Sequence, residues 1–261
     1  MRILYGGPPD TGKTTNLRHL VNLAPSDDAS PLANPGPDSV CTLYFDCFHL
    51  DNLRFLGQRL RCQIISVPGQ MELASRRNFL MGLADAVVFV ADSRAHQAER
   101  NRQWFEEMKT ALRSENTEEA PVGLVVQANM QDLPGALSPE DVLRELGLAP
   151  VVPAIPARAH VGLGVKQCFL LAFELALQRF KERFARGKIN DSPAFLGEVD
   201  DLYRALLNLD HSNNDFPTAF QETVVAAESS TEIPTNGQDS APIASLAPVE
   251  IPAPTETPAP T

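Results

Sequence analysis

Short apolar runs of β-type residues alternate with longer stretches in which apolar positions recur every three or four residues, and this continues from Met1 to about Gly187. The runs "RILYG" (2–6), "TLYFDCF" (42–48), "LRCQIISV" (60–67), "DAVVFVAD" (85–92), "PVGLVVQAN" (121–129) and "VVPAIPA" (151–157) read as strands. The intervening stretches predict helices over 13–22, 71–83, 95–114, 139–146 and 164–186. Such alternation predicts an α/β fold, a mostly parallel six-stranded sheet flanked by helices.

The last of these helices carries Val165, Phe169, Phe173, Phe180 and Phe184 near one face, with Arg179, Lys181, Arg183, Arg186 and Lys188 towards its end. A basic amphipathic membrane anchor is one reading. Glu174 and Glu182 dilute its charge, so the stripe is assigned to a sheet face and the cations to the helix dipole. Beyond Lys188, "NDSP" supplies a helix start with Pro193 in the first turn, and Phe195, Val199, Leu202, Leu206 and Leu209 follow at spacings of four and three. That predicts an appended amphipathic helix over 189–210, packed back on the domain formed by 1–188. From His211 there is no Lys or Arg, and Pro, Ser, Thr, Ala and Glu dominate, so 211–261 is expected to form a disordered acidic, Pro-rich tail.

Composition narrows the function classes. With 33 acidic against 22 basic residues the net charge is −11, which argues against nucleic-acid binding, where clustered Lys and Arg neutralise phosphates. Cys41, Cys47, Cys62 and Cys168 form no CxxC pair, so they read as reduced, buried thiols. The sequence has no leader-like start, no apolar run of membrane-spanning length and no prenylation box, which leads to the expectation of a cytoplasmic protein without a direct membrane anchor.

Candidate chemistry begins at "GGPPDTGKTTNL", where Gly7, Gly12, Lys13 and Thr14 fit G-x-x-x-x-G-K-[ST]. The motif follows a strand and opens a helix. Backbone N–H groups along Gly7, Asp10, Thr11, Gly12, Lys13, Thr14 and Thr15 can therefore converge on polyphosphate oxygens. Lys13 would reach the β and γ phosphates, and the Thr14 hydroxyl would ligate magnesium. ATPases, small-molecule kinases and GTPases all use such a P-loop, so the other strand-end segments must decide.

Those segments are "TLYFD", "SVPGQ", "NMQD" and "ARAH". With "GKTTNL" and "ASRRNFLMGLADAVVFVADS", in this order and spacing, they resemble a P-loop NTPase of the Ras-like small GTPase type, and most closely the bacterial gliding-motility (MglA-type) family, over about Arg2 to Arg186. The resemblance implies GTP and GDP as ligands with Mg2+. Thr42 would complete the metal shell beside Thr14 when a γ phosphate is present, a plain strand threonine being the alternative. Gly69 would turn its N–H to the γ phosphate, and Gln70 would orient the attacking water, making Gln70 and Lys13 the catalytic pair.

Asn129 and Asp132 would read guanine, with Met130 in place of the usual lysine, and the Ala159 N–H between Arg158 and His160 would face the base oxygen. Ser66 stands where Ras has a magnesium-shell aspartate. Cys41 stands where the gliding-motility branch commonly has an arginine, so hydrolysis is expected to be slow unless Arg54, Arg59 or a partner supplies the charge. The implied partners are a small roadblock-type activating protein and effectors on the switch surface, in polarity or motility signalling.

Two other readings stand beside this one. Asp92, closing "AVVFVAD", could be the magnesium carboxylate of a P-loop ATPase or kinase, although no Arg-rich lid sequence accompanies it. A degenerate GTPase fold acting as a scaffold would account for Met130 and Cys41, while Lys13, Thr14, Thr42 and Gln70 together argue for retained chemistry.

Overall fold

The computed structural model describes residues 1–24, 30–33, 46–55, 58–70, 73–115 and 121–186. The expectations for Cys41, Thr42, the helix over 189–210 and the tail over 211–261 lie outside the described residues, as do the side chains of Arg54 and Arg59. In chain order the elements are β1 (Arg2–Gly6), α1 (Lys13–Leu23), β2 (Asp46–Phe55), β3 (Gln58–Ser66), α2 (Ala74–Gly82), β4 (Ala86–Asp92), α3 (Ala98–Glu115), β5 (Gly123–Asn129), α4 (Pro139–Glu145), β6 (Ala154–Pro156) and α5 (Val165–Ala185).

Six strands form one sheet in the order β2-β3-β1-β4-β5-β6, and every pairing is parallel except β2 with β3. The expected alternation of strands and helices is thus present, with one correction. The second strand is described from Asp46 and runs on to Phe55, well past the expected end at 48, and it returns directly into β3 as an antiparallel hairpin. The added stretch "HLDNLRF" stays in the ladder through a register shift between Leu50 and Leu53. The last strand is shorter than "VVPAIPA", only Ala154–Pro156, and residues 95–97 form a 3-10 turn ahead of α3.

Strand alternation sorts the core into two faces. On one, Leu4, Ile65, Val87, Phe89 and Val126 meet α2, α3 and α4 through Leu80, Trp104, Phe105, Met108 and Leu143. On the other, Ile3, Tyr5, Ile64, Val88 and Val125 meet α1 and α5 through Leu17, Leu20, Val165, Cys168 and Ala172. Both faces are covered, which is why β4 reads as an unbroken apolar run. Burial of Leu17 and Leu20 contributes roughly 1.5–3 kcal/mol each to holding α1 against the sheet.

The terminal helix corrects a second expectation. Its buried face is Val165, Cys168, Ala172, Ala176 and Arg179, whereas Phe169 and Phe173 are half-buried and Phe184 is 49% exposed. Small residues face the sheet because α5 lies very close to it: a Cβ on Gly123 would sit 2.5 Å from Leu175 Cβ. Arg179 also turns inward. It and Arg183 approach Asp85 at 3.7 and 3.3 Å, and the same carboxylate accepts the Arg2 backbone N–H at 2.8 Å. No helix among the described residues is long and apolar enough to cross a membrane.

Burial pushes the thiols of Cys47, Cys62 and Cys168 up to about 12. At pH 8 they are neutral and enclosed. In a Cys41→Ser background, Ellman's reagent is expected to find no reactive thiol until denaturant is added, then three; any labelling before unfolding would show that this core opens.

Candidate nucleotide-binding site

At the C-terminal edge of the sheet, β1 and β4 lie side by side while the chain leaves β1 for one face and β4 for the other, the crevice where open α/β sheets bind ligands. The residues that leave these strand ends are Gly7 to Gly12 after β1, Val67 to Gln70 after β3, Ser93 after β4 and Met130 after β5.

The loop after β1 wraps around its own carbonyl. Lys13 Nζ donates to the Pro8 carbonyl at 2.6 Å and Thr11 Oγ1 donates to it at 3.0 Å. Gly12 has φ +95°, and a Cβ there would lie 2.6 Å from Asn129 Nδ2, so only glycine lets the loop pass this close to the next strand end. Helix α1 starts at Lys13 with no side-chain cap, so its first N–H groups remain available to an anion. Asn16 and Gln127 exchange two amide bonds of 2.8 Å, pinning the first turn of α1 to β5. Thr15 lies half-buried in the same turn.

Lys13 is 92% buried, its exposure being 8%. Burial pushes its ammonium down to about 7, against the opposing pull of Asp10 and Asp46. A lysine enclosed this far with a carbonyl as its hydrogen-bond acceptor is short of negative charge.

Thr14 Oγ1 donates to the Asp46 carboxylate. Asp46 is 1% exposed, opens β2 and pairs across the ladder with Ser66, whose hydroxyl is buried with no partner among the described residues. A threonine hydroxyl that donates its proton to a carboxylate is an oxygen ligand of the kind a hard cation takes. Gly69 is packed onto the phosphate loop itself: a Cβ there would be 2.6 Å from Pro9 N and 2.9 Å from Lys13 Nζ. Its neighbour Gln70 is half-buried, and the Gln70 Oε1 has no partner among the described residues.

Asn129, 4% exposed, ties three segments together. Its Nδ2 donates to the Thr11 carbonyl at 2.8 Å, and its Oδ1 accepts the Ala159 backbone N–H at 2.9 Å. The Ala159 N–H, expected to face a base oxygen, here points to Asn129. Met130 then takes φ +64°, a conformation uncommon for its type, and the turn presents Asp132 as an exposed residue. Gln131 fixes that turn through Ser93 Oγ at 2.9 Å and the Leu137 carbonyl at 2.8 Å.

Asp92 is engaged otherwise than an ATPase reading requires. Arg94 reaches both of its carboxylate oxygens, at 3.0 and 2.6 Å, and the Arg94 backbone N–H adds another bond at 3.0 Å. Asp46, Trp104 and Arg77 are site residues that sequence reasoning missed. Asp46 lies within "TLYFD" itself, and Trp104, the chain's single tryptophan, is a signal of composition alone.

A phosphate loop with an enclosed lysine, a hydroxyl at the first helical turn and an Asn-centred junction at the next strand end define a P-loop nucleotide-binding protein. The sequence profile of the ADP-ribosylation factor family matches residues 1–169. Among curated proteins, the mutual gliding-motility protein MglA of Myxococcus xanthus is 30% identical over 181 residues, spanning 69% of this chain and 92% of that protein. Human ADP-ribosylation factor-like protein 4D is 35% identical over 130 residues, 48% of this chain and 62% of its own length. Human ADP-ribosylation factor-like protein 4C is 27% identical over 188 residues, 69% and 89% of the two chains. The chain therefore belongs to the ADP-ribosylation factor family and is a Ras-like small GTPase of the MglA type, an enzyme that binds guanine nucleotides and hydrolyses GTP.

Proposed function

We propose that this GTPase is a slow, magnesium-dependent switch of bacterial polarity or motility signalling in the cytoplasm, turned off with the help of a small roadblock-type activating protein. The observation that carries the nucleotide assignment is the Asn129 junction. One side chain fastens the phosphate loop at Thr11 to the last loop at Ala159, so the "NMQD" turn is built onto the phosphate cradle and Asp132 lies three residues beyond. An Asp carboxylate accepts from the N–H groups of guanine and meets a mismatch in adenine, which is a source of selectivity.

The donor set suits a magnesium ion. Thr14 would hold it directly, Asp46 would take the Thr14 proton and Thr42 would join them; the ion would supply positive charge against the phosphates. Lys13 balances the phosphate charge from inside the loop. Gly69, which packs on Pro9 and Lys13, would sense a γ phosphate, and Gln70 would orient water. Regulators and effectors would read the surface around Thr42 and the segment after Gly69.

Titration with fluorescent GDP and GTP analogues, with and without magnesium and in competition with ATP, tests this reading. Guanine-selective, magnesium-dependent binding is expected; preference for ATP or absence of binding by folded protein would reject it. In the same assay Asp132→Ala is expected to weaken GDP binding about ten- to a hundredfold while leaving ATP competition unchanged, the loss of a charge-assisted hydrogen-bond pair. Equal weakening towards both nucleotides would place the base elsewhere.

A further inference from the structure

The segment of Gly69 and Gln70, the second of which is proposed to orient water, is held by side chains from α2 and α3. Trp104 of α3 donates its indole N–H to the Gly69 carbonyl at 3.2 Å, in a buried setting. Arg77 of α2 donates Nη1 to the Gln70 carbonyl at 3.1 Å. These carbonyls belong to the two peptide planes on either side of the Gln70 Cα. A trans peptide turned by its carbonyl is turned as a unit, so fixing both planes fixes the backbone dihedrals of Gln70 and the direction in which its side chain leaves. The Leu73 backbone N–H adds a longer bond to the Gln70 carbonyl at 3.3 Å, while the Gln70 Oε1 itself has no partner among the described residues.

The two donors are locked to one another. Arg77 is 1% exposed and pairs through Nη2 with Glu107, one helical turn after Trp104 on the same face of α3. Its guanidinium lies over the Trp104 ring, 5.2 Å from the centroid. The ring in turn rests on Phe89 of β4, centroids 5.8 Å apart, and against the end of β1, where a Cβ on Gly6 would strike it at 2.8 Å. The indole is therefore wedged between the sheet and the segment after β3. Burying a guanidinium is costly unless it is paired and hydrogen-bonded, and a simple core contact at this place would be met by an apolar side chain.

We infer that Trp104, Arg77 and Glu107 form a positioning triad that aims Gln70 for hydrolysis, and that they act on the rate of GTP cleavage rather than on nucleotide affinity. The inference rests on Gln70 being the water-orienting residue. Its reach is specific: the triad contributes only through Gln70, so its effect vanishes when Gln70 is already lost.

The test uses the full chain and single-turnover GTP hydrolysis beside fluorescent GDP affinity. Trp104→Phe keeps a ring and removes the N–H; Arg77→Met keeps length and removes the donors. Each is expected to slow hydrolysis about tenfold, the loss of one buried hydrogen bond to a reacting segment, with GDP affinity within twofold of the parent. In Arg77→Met the emission of Trp104, the single tryptophan, is expected to shift as the cation leaves its ring. Combined with Gln70→Leu, neither variant should slow the reaction further.

Parental hydrolysis rates, unchanged emission, or losses of rate and affinity in equal proportion would overturn the triad, as would additive effects in the double variants. If Gln70→Leu alone hydrolyses GTP at the parental rate, the fault lies with the role given to Gln70. If that variant is inactive while Trp104→Phe and Arg77→Met are unaffected, only the triad is wrong. Glu107→Gln supplies a milder third variant should Arg77→Met fail to fold; a rate equal to the parent in both Glu107→Gln and Trp104→Phe overturns the inference.

Discussion

Lys13→Ala is expected to lose nucleotide affinity on the order of a thousandfold, read as loss of saturable fluorescent GDP binding at micromolar protein. The side chain is enclosed at 8% exposure and donates to Pro8 at 2.6 Å, inside the loop proposed to hold the phosphates. Desolvation has already been imposed by folding, as the downward push to about 7 records, so an arriving phosphate meets a cation that has little water left to shed. Truncating one member of a buried charge pair typically costs 2–5 kcal/mol, and the thousandfold figure lies in that interval. Thermal stability is expected to hold or rise, because removing a buried ammonium that donates to a carbonyl rather than a carboxylate also removes its desolvation cost. An affinity within about tenfold of the parent would move the phosphates away from this loop.

Gln70→Leu should separate binding from chemistry. GDP and GTP affinities are expected to stay within about twofold, while single-turnover hydrolysis falls on the order of a hundredfold, the scale of losing one positioned group that acts mainly in the transition state. The buried Oε1, without a partner among the described residues, is the physical basis: leucine fills a similar volume without needing a hydrogen bond, so the fold should lose little while the acceptor proposed for water is removed. A variant that hydrolyses normally would assign the water to another residue.

What the sequence carried and what it did not divide along contact distance. The strand and helix periods made the α/β order legible, and the phosphate loop was legible because its parts are contiguous, from Gly7 to Thr15. The β2–β3 hairpin was not, since Asp51 and Asn52 interrupt the apolar alternation and a bulge absorbs them. The α5 face was misread for a related reason. Val165 of the expected stripe is buried and Phe169 and Phe173 pack at the margin of the core, but closeness to the sheet gave its centre to Ala172 and Ala176. Asp46 meets Thr14 across 32 residues, Trp104 meets Gly69 across 35 and Glu107 meets Arg77 across 30. No local period encodes such pairs, so only the folded sheet brings them together.

At the start of β4, the end of the strand opposite Asp92, the Asp85 carboxylate receives the Arg2 backbone N–H from the first strand and Arg179 and Arg183 from the last helix. This sets a minimum length for an autonomous unit. A chain cut before Arg179 would strand an aspartate at 4% exposure with its main cations gone, while one cut after Arg186 keeps the knot whole. Expression boundaries, fusion partners and split-protein reporters should therefore be drawn beyond α5, where the chain is already fastened to its own beginning.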